Sequence, residues 1–153
     1  MAKRRKRGDR ALRTAAGTIS YEYQMFCSAF AATSAMSRVQ RTPQTEAIRV
    51  LTLEAALLHA RVLRDFFIGS GSDPDDILVT DFVPRRPRFA LPVLRSRQIR
   101  SRLNKLLAHP SYSRARLGKQ WPIVAIHAEI TTAWQLFLDR VADYAPTRRN
   151  WFK

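Results

Sequence analysis

The chain has 153 residues, 46% of them hydrophobic, and its formal net charge is +15. This length suits one domain with a packed core and is short for two. The 5 glycines are few and favour a mainly helical structure. A charge of this size favours a polyanionic partner, such as a nucleic acid, a ribosomal surface or an anionic membrane.

The cellular compartment is predicted from three features that the sequence lacks: a membrane-spanning run, a secretory signal and a cysteine pair. No apolar run reaches the ~20 residues of a membrane-spanning helix. The basic N-terminus is not followed by the apolar core of a secretory signal. The lone Cys27 has no partner for a disulfide and reads as a buried structural thiol. We therefore expect a cytoplasmic protein without a membrane span.

The N-terminal stretch, residues 1–17, predicts a disordered basic arm, because like charges at this density repel one another and build no core. Two functions are open for it: a solubilising tail, or an arm that binds phosphates. The cations of its first half are Lys3, Arg4, Arg5, Lys6 and Arg7. Behind it we expect a helical domain over residues 18–146 and a tail over residues 147–153.

Four helices are predicted, at about residues 19–36, 43–68, 92–108 and 122–144. The second has the clearest limits: Thr42 is an N-cap, Pro43 suits the first helical position, and Gly69 is a stop signal. Between the second and third helices, residues 69–92 form a proline-rich crossover whose apolar "ILVTDFV" is expected to dock on the core. The fold class is therefore all-α, an up-and-down four-helix bundle.

The second helix is apolar on two sides. One stripe consists of Ile48, Leu51, Ala55, Leu58, Val62 and Phe66. The other consists of Leu53, Leu57, Ala60 and Phe67. A helix with two apolar sides is central in a bundle or shared with a second subunit, and we expect both, hence a homodimer.

Most chemical motifs are missing from the sequence. It has no glycine-rich phosphate loop, no cysteine pair for zinc and no His-Glu-x-x-His helix, so no metal or cofactor is predicted. Asp75 and Asp76 read as a turn and helix cap rather than metal ligands. His59 and His127 lie near apolar stripes and are expected to be hydrogen-bonded core residues.

The stretch "SRLNKLLAHPSYSR", residues 101–114, combines an apolar seam with polar groups. Arg102 and His109 are seven residues apart and share a helix face at one edge of the seam, while Asn104 borders the other edge. An imidazole can transfer a proton and a guanidinium can hold a phosphate, which together suit metal-free RNA cleavage. The alternative is that Arg102 reaches to solvent and His109 only ends a helix before Pro110.

A helical bundle with an Arg, then four to six residues, then a His near the third-to-fourth helix junction resembles the HEPN superfamily (higher eukaryote and prokaryote nucleotide-binding domains). Six residues separate Arg102 from His109 here, and Asn104 stands five before His109, as the Asn of that family does. Leu103 intervenes between Arg102 and Asn104, so the Arg is displaced by one position. The segment "EAALLHARVLRDFF", residues 54–67, also resembles the long second helix of small bacterial members, and the resemblance covers most of residues 19–145.

The resemblance implies a homodimer with a composite cleft and, in active members, metal-independent endoribonuclease activity of a defence or toxin type. Arg102, Asn104 and His109 would then be the catalytic residues. RNA would be contacted further by Arg95, Arg97, Arg100, Tyr112 and Arg114, and by the basic arm. Two other classes of function stay open: a non-catalytic basic module that binds RNA, DNA or a ribosome, and a helical adaptor that binds proteins.

Overall fold

A computed structural model describes residues 7–69, 73–108 and 120–153, without the side chains of residues 105–108. Within these ranges the chain is helical and irregular, without a β-strand, which confirms the all-α prediction. Its helices are α1 (Asp9–Met36), α2 (Pro43–Ile68), α3 (Pro92–Arg95), α4 (Arg97–Ala108), α5 (Ile123–Tyr144) and α6 (Pro146–Arg149). None of these described helices is both long and apolar enough to cross a bilayer.

Helix α2 begins and ends where its local signals predict. The Thr42 hydroxyl accepts from the Thr45 N–H at 3.2 Å, and the Thr45 hydroxyl accepts from the Thr42 N–H at 2.8 Å. Pro43 is the first helical residue and Gly69 follows the last. This reciprocal capping satisfies two backbone donors that the first turn otherwise leaves unpaired.

Helix α1 begins at Asp9, ten residues before its predicted start, so the prediction of disorder for residues 9–17 was wrong. Leu12, Ala16 and Ile19 follow one another at helical spacing, and all three are buried in the core. Their burial outweighs the repulsion among the arginines on the outer side. Residues 1–6 lie outside the described part of the chain.

The predicted third helix is interrupted at Ser96, which separates α3 from α4. Ser96 has extended ψ, and its hydroxyl accepts from the Ile99 N–H at 3.2 Å, as an N-cap does. The Glu129 carboxylate of α5 accepts from the N–H groups of Val93 and Leu94 at 2.7 and 3.0 Å. The chain therefore forms two helices here: α3, whose first turn is capped by Glu129, and α4, whose first turn is capped by Ser96.

The contacts between α1 and α5 show that these helices are antiparallel. Phe30 stacks on His127 with ring centroids 3.8 Å apart, and further toward the start of α1, Tyr23 stacks on Trp134 at 4.4 Å. Helix α1 also packs along α2, to which a short connection joins it. The buried positions end at Ala29 in α1 and begin at Ala56 in α2, so the last two turns of α1 and the first half of α2 contain no buried residue.

The aromatic core lies at the opposite end of α2. Phe66 contacts Phe137 of α5 edge-on, with ring centroids 5.1 Å apart. Phe82 of the crossover contacts Phe152, also with ring centroids 5.1 Å apart. Leu78, Val79, Phe82 and Val83 are buried, which confirms that "ILVTDFV" docks. The predicted tail over residues 147–153 is only partly a tail, since α6 turns the chain so that Phe152 enters the core.

Candidate nucleic-acid interface

Helix α4 presents a basic face to solvent. Arg97 and Arg100 are exposed, as is Arg95 at the end of α3. Asn104 is exposed too and lies about one turn beyond Arg100, on the same side of the helix. None of these three arginines has an ion-pair partner among the described residues.

A cleft of about 720 Å³ opens beside this face, between α1, α2, α4 and the start of the crossover. Two arginines that line it, Arg61 and Arg100, have no ion-pair partner among the described residues. A third, Arg64, donates to Asp65 at 2.5 Å and to the carbonyl oxygen of Leu94 at 2.9 Å. Asp65, Asp75 and Asp76 also line the cleft, and of these Asp65 pairs with Arg64 and Asp75 with Arg7. Arg61 and Arg100 are therefore the lining arginines that form no ion pair with described acids.

Arg102 lies on the inner side of α4, not on the basic face. Its side chain is only 8% exposed. One guanidinium nitrogen donates to the carbonyl oxygen of Gln120 at 2.7 Å, and the guanidinium carbon lies 4.1 Å from the ring centroid of Trp121. These contacts connect α4 to the residues that precede α5. The guanidinium therefore holds α4 to the segment of chain just before α5.

The structure does not bring Arg102 and Asn104 together. The two residues are two positions apart, about 200° around the helix, so one is buried and the other exposed. His109, Tyr112 and Arg114 lie outside the described residues, and their predicted roles stay predictions. The same holds for Lys3, Arg4, Arg5 and Lys6.

Arg7 and the paired aspartates belong to one local network. Arg7 donates to the carbonyl oxygen of Pro74 and lies 3.6 Å from a carboxylate oxygen of Asp75. The Asp73 carboxylate accepts from the Asp75 N–H at 2.8 Å, which is turn geometry. Arg7 is thus held by the chain itself, and Asp75 has the turn role that was predicted.

One polar pair was missed by the sequence analysis. Nδ1 of His59 and a carboxylate oxygen of Glu22 are 2.7 Å apart, and both side chains are largely buried between α1 and α2. His59 is therefore the hydrogen-bonded core residue that was predicted. Its partner was not found because it is 37 residues away in the chain. The signal for it was a carboxylate in an otherwise apolar part of α1.

Burial changes the acidity of three groups in α1 and α5. It raises the pKa of Tyr23 to about 12, with the neighbouring Cys27 adding to the shift. It also raises the pKa of the Cys27 thiol, which packs against the core and is typical of a structural cysteine. His127 has no hydrogen-bond partner among the described residues, in contrast to the prediction; its ring is stacked on phenylalanine rings, and burial lowers its pKa.

No protein-family model matches the sequence, and neither a curated protein nor a solved structure matches the chain. The side chains of the described residues therefore have to carry the functional proposal.

Proposed function

We propose that the protein binds nucleic acid, with RNA favoured over DNA, through an α4 surface formed by Arg61, Arg95, Arg97 and Arg100. The observation that carries this proposal is the set of exposed arginines at the end of α3 and on α4, next to a cleft that Arg61 of α2 and Arg100 line. None of the four arginines has an ion-pair partner among the described residues. Each contact between such a cation and a phosphate releases condensed counterions, which is the main source of affinity for a nucleic acid. The formal charge of +15 supports the same partner.

The proposal includes a HEPN-like up-and-down bundle that forms a homodimer. The spacing of Asn104 and His109 supports the family and, with it, RNA as the nucleic acid. Support for the dimer comes from α2, where Leu51 is 64% exposed and Ile48 and Leu58 are nearly half exposed. These side chains belong to the first of the two predicted apolar stripes, and this chain alone leaves them uncovered.

The binding surface is tested by two matched pairs of substitutions. Arg97→Ala with Arg100→Ala changes the α4 surface, and Arg38→Ala with Arg41→Ala changes two arginines that are also exposed, in the connection between α1 and α2. Each pair removes two charges. Only the α4 pair should weaken binding of a 20-nucleotide RNA, and it should reduce the slope of log K against log salt by about 0.7 for each lost contact. Equal losses for both pairs would show that the net charge acts without a defined surface.

A second candidate function is metal-independent endoribonuclease activity. It is favoured by the exposure of Asn104, which extends the basic face of α4 toward His109 in the sequence. In this role His109 is the general acid or base and Asn104 orients it. Arg102, expected from the sequence to hold the phosphate, is instead buried against Gln120 and Trp121 and acts in the packing of α4.

The nuclease is tested with His109→Ala in the presence of EDTA. Loss of general acid–base catalysis should slow RNA cleavage by about 10²–10⁴-fold, with RNA binding kept and a 2′,3′-cyclic phosphate as the product of the wild-type enzyme. A wild-type protein that binds RNA and leaves it intact would remove the catalytic part of the proposal and leave the binding part standing.

A further inference from the structure

A second basic surface lies at the other face of the crossover. A groove of about 570 Å³ is formed by residues 83–88, "VPRRPR", and the last turns of α5. Four arginines line it, against one aspartate, Asp143. We call this surface the arginine groove and define it by Arg85, Arg86, Arg88, Arg140 and Tyr144.

The segment that carries three of these arginines is fixed at both ends. Val83 before it and Phe89 after it are buried in the core. Pro84 and Pro87 restrict the backbone between them, because the proline ring fixes φ. Arg86 donates to the carbonyl oxygen of Gly69 at 2.6 Å and so ties the segment to the end of α2.

Fixing this segment leaves two of its arginines facing solvent. Arg85 and Arg88 are exposed and have no ion-pair partner among the described residues. Arg140 is 3.7 Å from Asp143, and both side chains are more than half exposed, so this pair is weak and can exchange for another anion. The groove therefore offers three guanidinium groups on a backbone that needs little further ordering to bind.

An aromatic ring completes the groove. Tyr144, at the end of α5, lines it and is 57% exposed. A ring exposed beside cations is typical of surfaces that bind single-stranded nucleic acid, where guanidinium groups hold phosphates and the ring stacks on a base. A base that is paired in a duplex does not present its face to such a ring.

We infer that the arginine groove binds a single-stranded segment of nucleic acid, with phosphates on Arg85, Arg88 and Arg140 and an unpaired base on Tyr144. This inference rests on the proposed function and adds a second contact surface to it. Gly69 connects the two surfaces, since it lines the α4 cleft while its carbonyl group accepts from Arg86. The end of α2 therefore lies between the two surfaces.

The test uses the full chain with a 20-nucleotide oligouridine and with an RNA duplex of equal length. Arg85→Ala with Arg88→Ala should weaken binding of the oligouridine and reduce its salt slope by about 0.7 for each lost contact. Tyr144→Ala should weaken it about tenfold with an unchanged salt slope, because stacking releases no counterions. Tyr144→Phe should bind as the wild type does, and the pair Arg38→Ala with Arg41→Ala is the charge control.

Three results would overturn the inference. The first is an equal loss of affinity for duplex and single strand in the Arg85 and Arg88 variant. The second is no effect of Tyr144→Ala on oligouridine. The third is competition by polyglutamate that exceeds competition by oligouridine, which would show a surface for acidic protein segments.

The experiments can contradict the proposal for the α4 surface and the inference for the arginine groove independently of each other. Suppose that the double variant Arg97→Ala, Arg100→Ala binds oligouridine normally, whereas Arg85→Ala with Arg88→Ala and Tyr144→Ala bind it weakly. The proposed α4 surface is then wrong, and the groove inference stands. If only the Arg97 and Arg100 variant loses affinity, the groove inference is wrong and the proposed function stands.

Discussion

His127 shows how a single side chain makes the stability of this protein depend on pH. Its ring stacks on Phe30 with ring centroids 3.8 Å apart, and the ring centroid of Phe26 is 5.7 Å away. Burial in these aromatic surroundings disfavours the imidazolium and lowers the pKa below its usual 6.5. Below pH 6.5 the unfolded chain therefore binds more protons at this residue than the folded chain. Above pH 6.5 the imidazole is neutral in both states, and its contribution to the free energy of unfolding is fully present. This contribution is lost as the pH falls from 6.5 toward the lowered pKa of the folded protein.

Replacing His127 should remove this part of the pH dependence. We expect the melting temperature of the wild type to fall between pH 7.5 and pH 5.5, and that of His127→Phe to fall less, because phenylalanine keeps the stacking and cannot titrate. Thermal unfolding followed by circular dichroism at three pH values measures both. Parallel curves for the two proteins would contradict the prediction, since the remaining histidines are the same in each.

Arg102 shows where residue-level reasoning from sequence ends. The apolar periodicity correctly placed this residue beside the seam of α4. Whether its guanidinium faces a phosphate or the protein depends on Gln120 and Trp121, and the accepting carbonyl oxygen is 18 residues away in the chain. No local pattern encodes that contact. The exposure of Asn104 was easier to predict, because it follows directly from the position of this residue on the helix.

The contacts of Arg102 predict a structural role that Arg100 does not share. Arg102→Ala should lower the free energy of unfolding by about 2 kcal/mol, through the lost charged hydrogen bond and the lost stacking on Trp121. Below its melting temperature this variant should bind RNA as the wild type does. Arg100→Ala should have the opposite profile, with normal stability and weaker binding. Denaturant unfolding and RNA titration of both variants separate the roles, and a stable Arg102→Ala that loses RNA affinity would make Arg102 a phosphate ligand after all.

At the scale of elements, the structure separates helix ends that are encoded locally from those decided by packing. The limits of α2 were predictable, because Thr42, Pro43 and Gly69 act within one turn of the ends. The start of α1 was not, because the burial of Leu12 and Ala16 depends on elements far along the chain. The start of α3 likewise depends on packing, because the Glu129 carboxylate that caps it comes from α5. The break at Ser96 does have a local signal, the Ser96 hydroxyl that accepts from the Ile99 N–H.

The apolar stripe of α2 predicts how copies of the chain associate. Wild-type protein at micromolar concentration should sediment at about twice 17.6 kDa. Leu51→Lys should sediment as a monomer, because it places a charge in the centre of a stripe that the proposed partner copy covers. Val124→Lys is the matched control, since Val124 is an exposed apolar residue on α5, outside that stripe. A monomeric wild type would refute the dimer, and equal effects of both substitutions would move the interface away from α2.

At the scale of the whole molecule, the charge is distributed unevenly between groups that the fold uses and groups that it leaves available. Arg148 donates to Asp9 at 2.7 Å and thereby links α6 to the first turn of α1. Arg64 and Arg86 donate to backbone carbonyl groups. These cations stabilise the packing of the helices. By contrast, Arg97 and Arg100 of the α4 surface and Arg85 and Arg88 of the arginine groove are exposed and have no ion-pair partner among the described residues. In the proposed function these arginines bind the polyanion.

The cations of residues 1–6 are a further part of this charge, and deleting these residues tests whether they contact a nucleic acid. The deletion removes Lys3, Arg4, Arg5 and Lys6 and leaves the buried part of α1, which begins at Leu12. We expect an unchanged melting temperature, whereas Leu12→Ala should lower stability by about 2–4 kcal/mol because it empties a core position. If all four cations contact phosphates, the slope of log K against log salt for single-stranded RNA should decrease by about 3 in total. An unchanged slope would show that these four residues do not contact the nucleic acid and that the affinity comes from cations elsewhere in the chain.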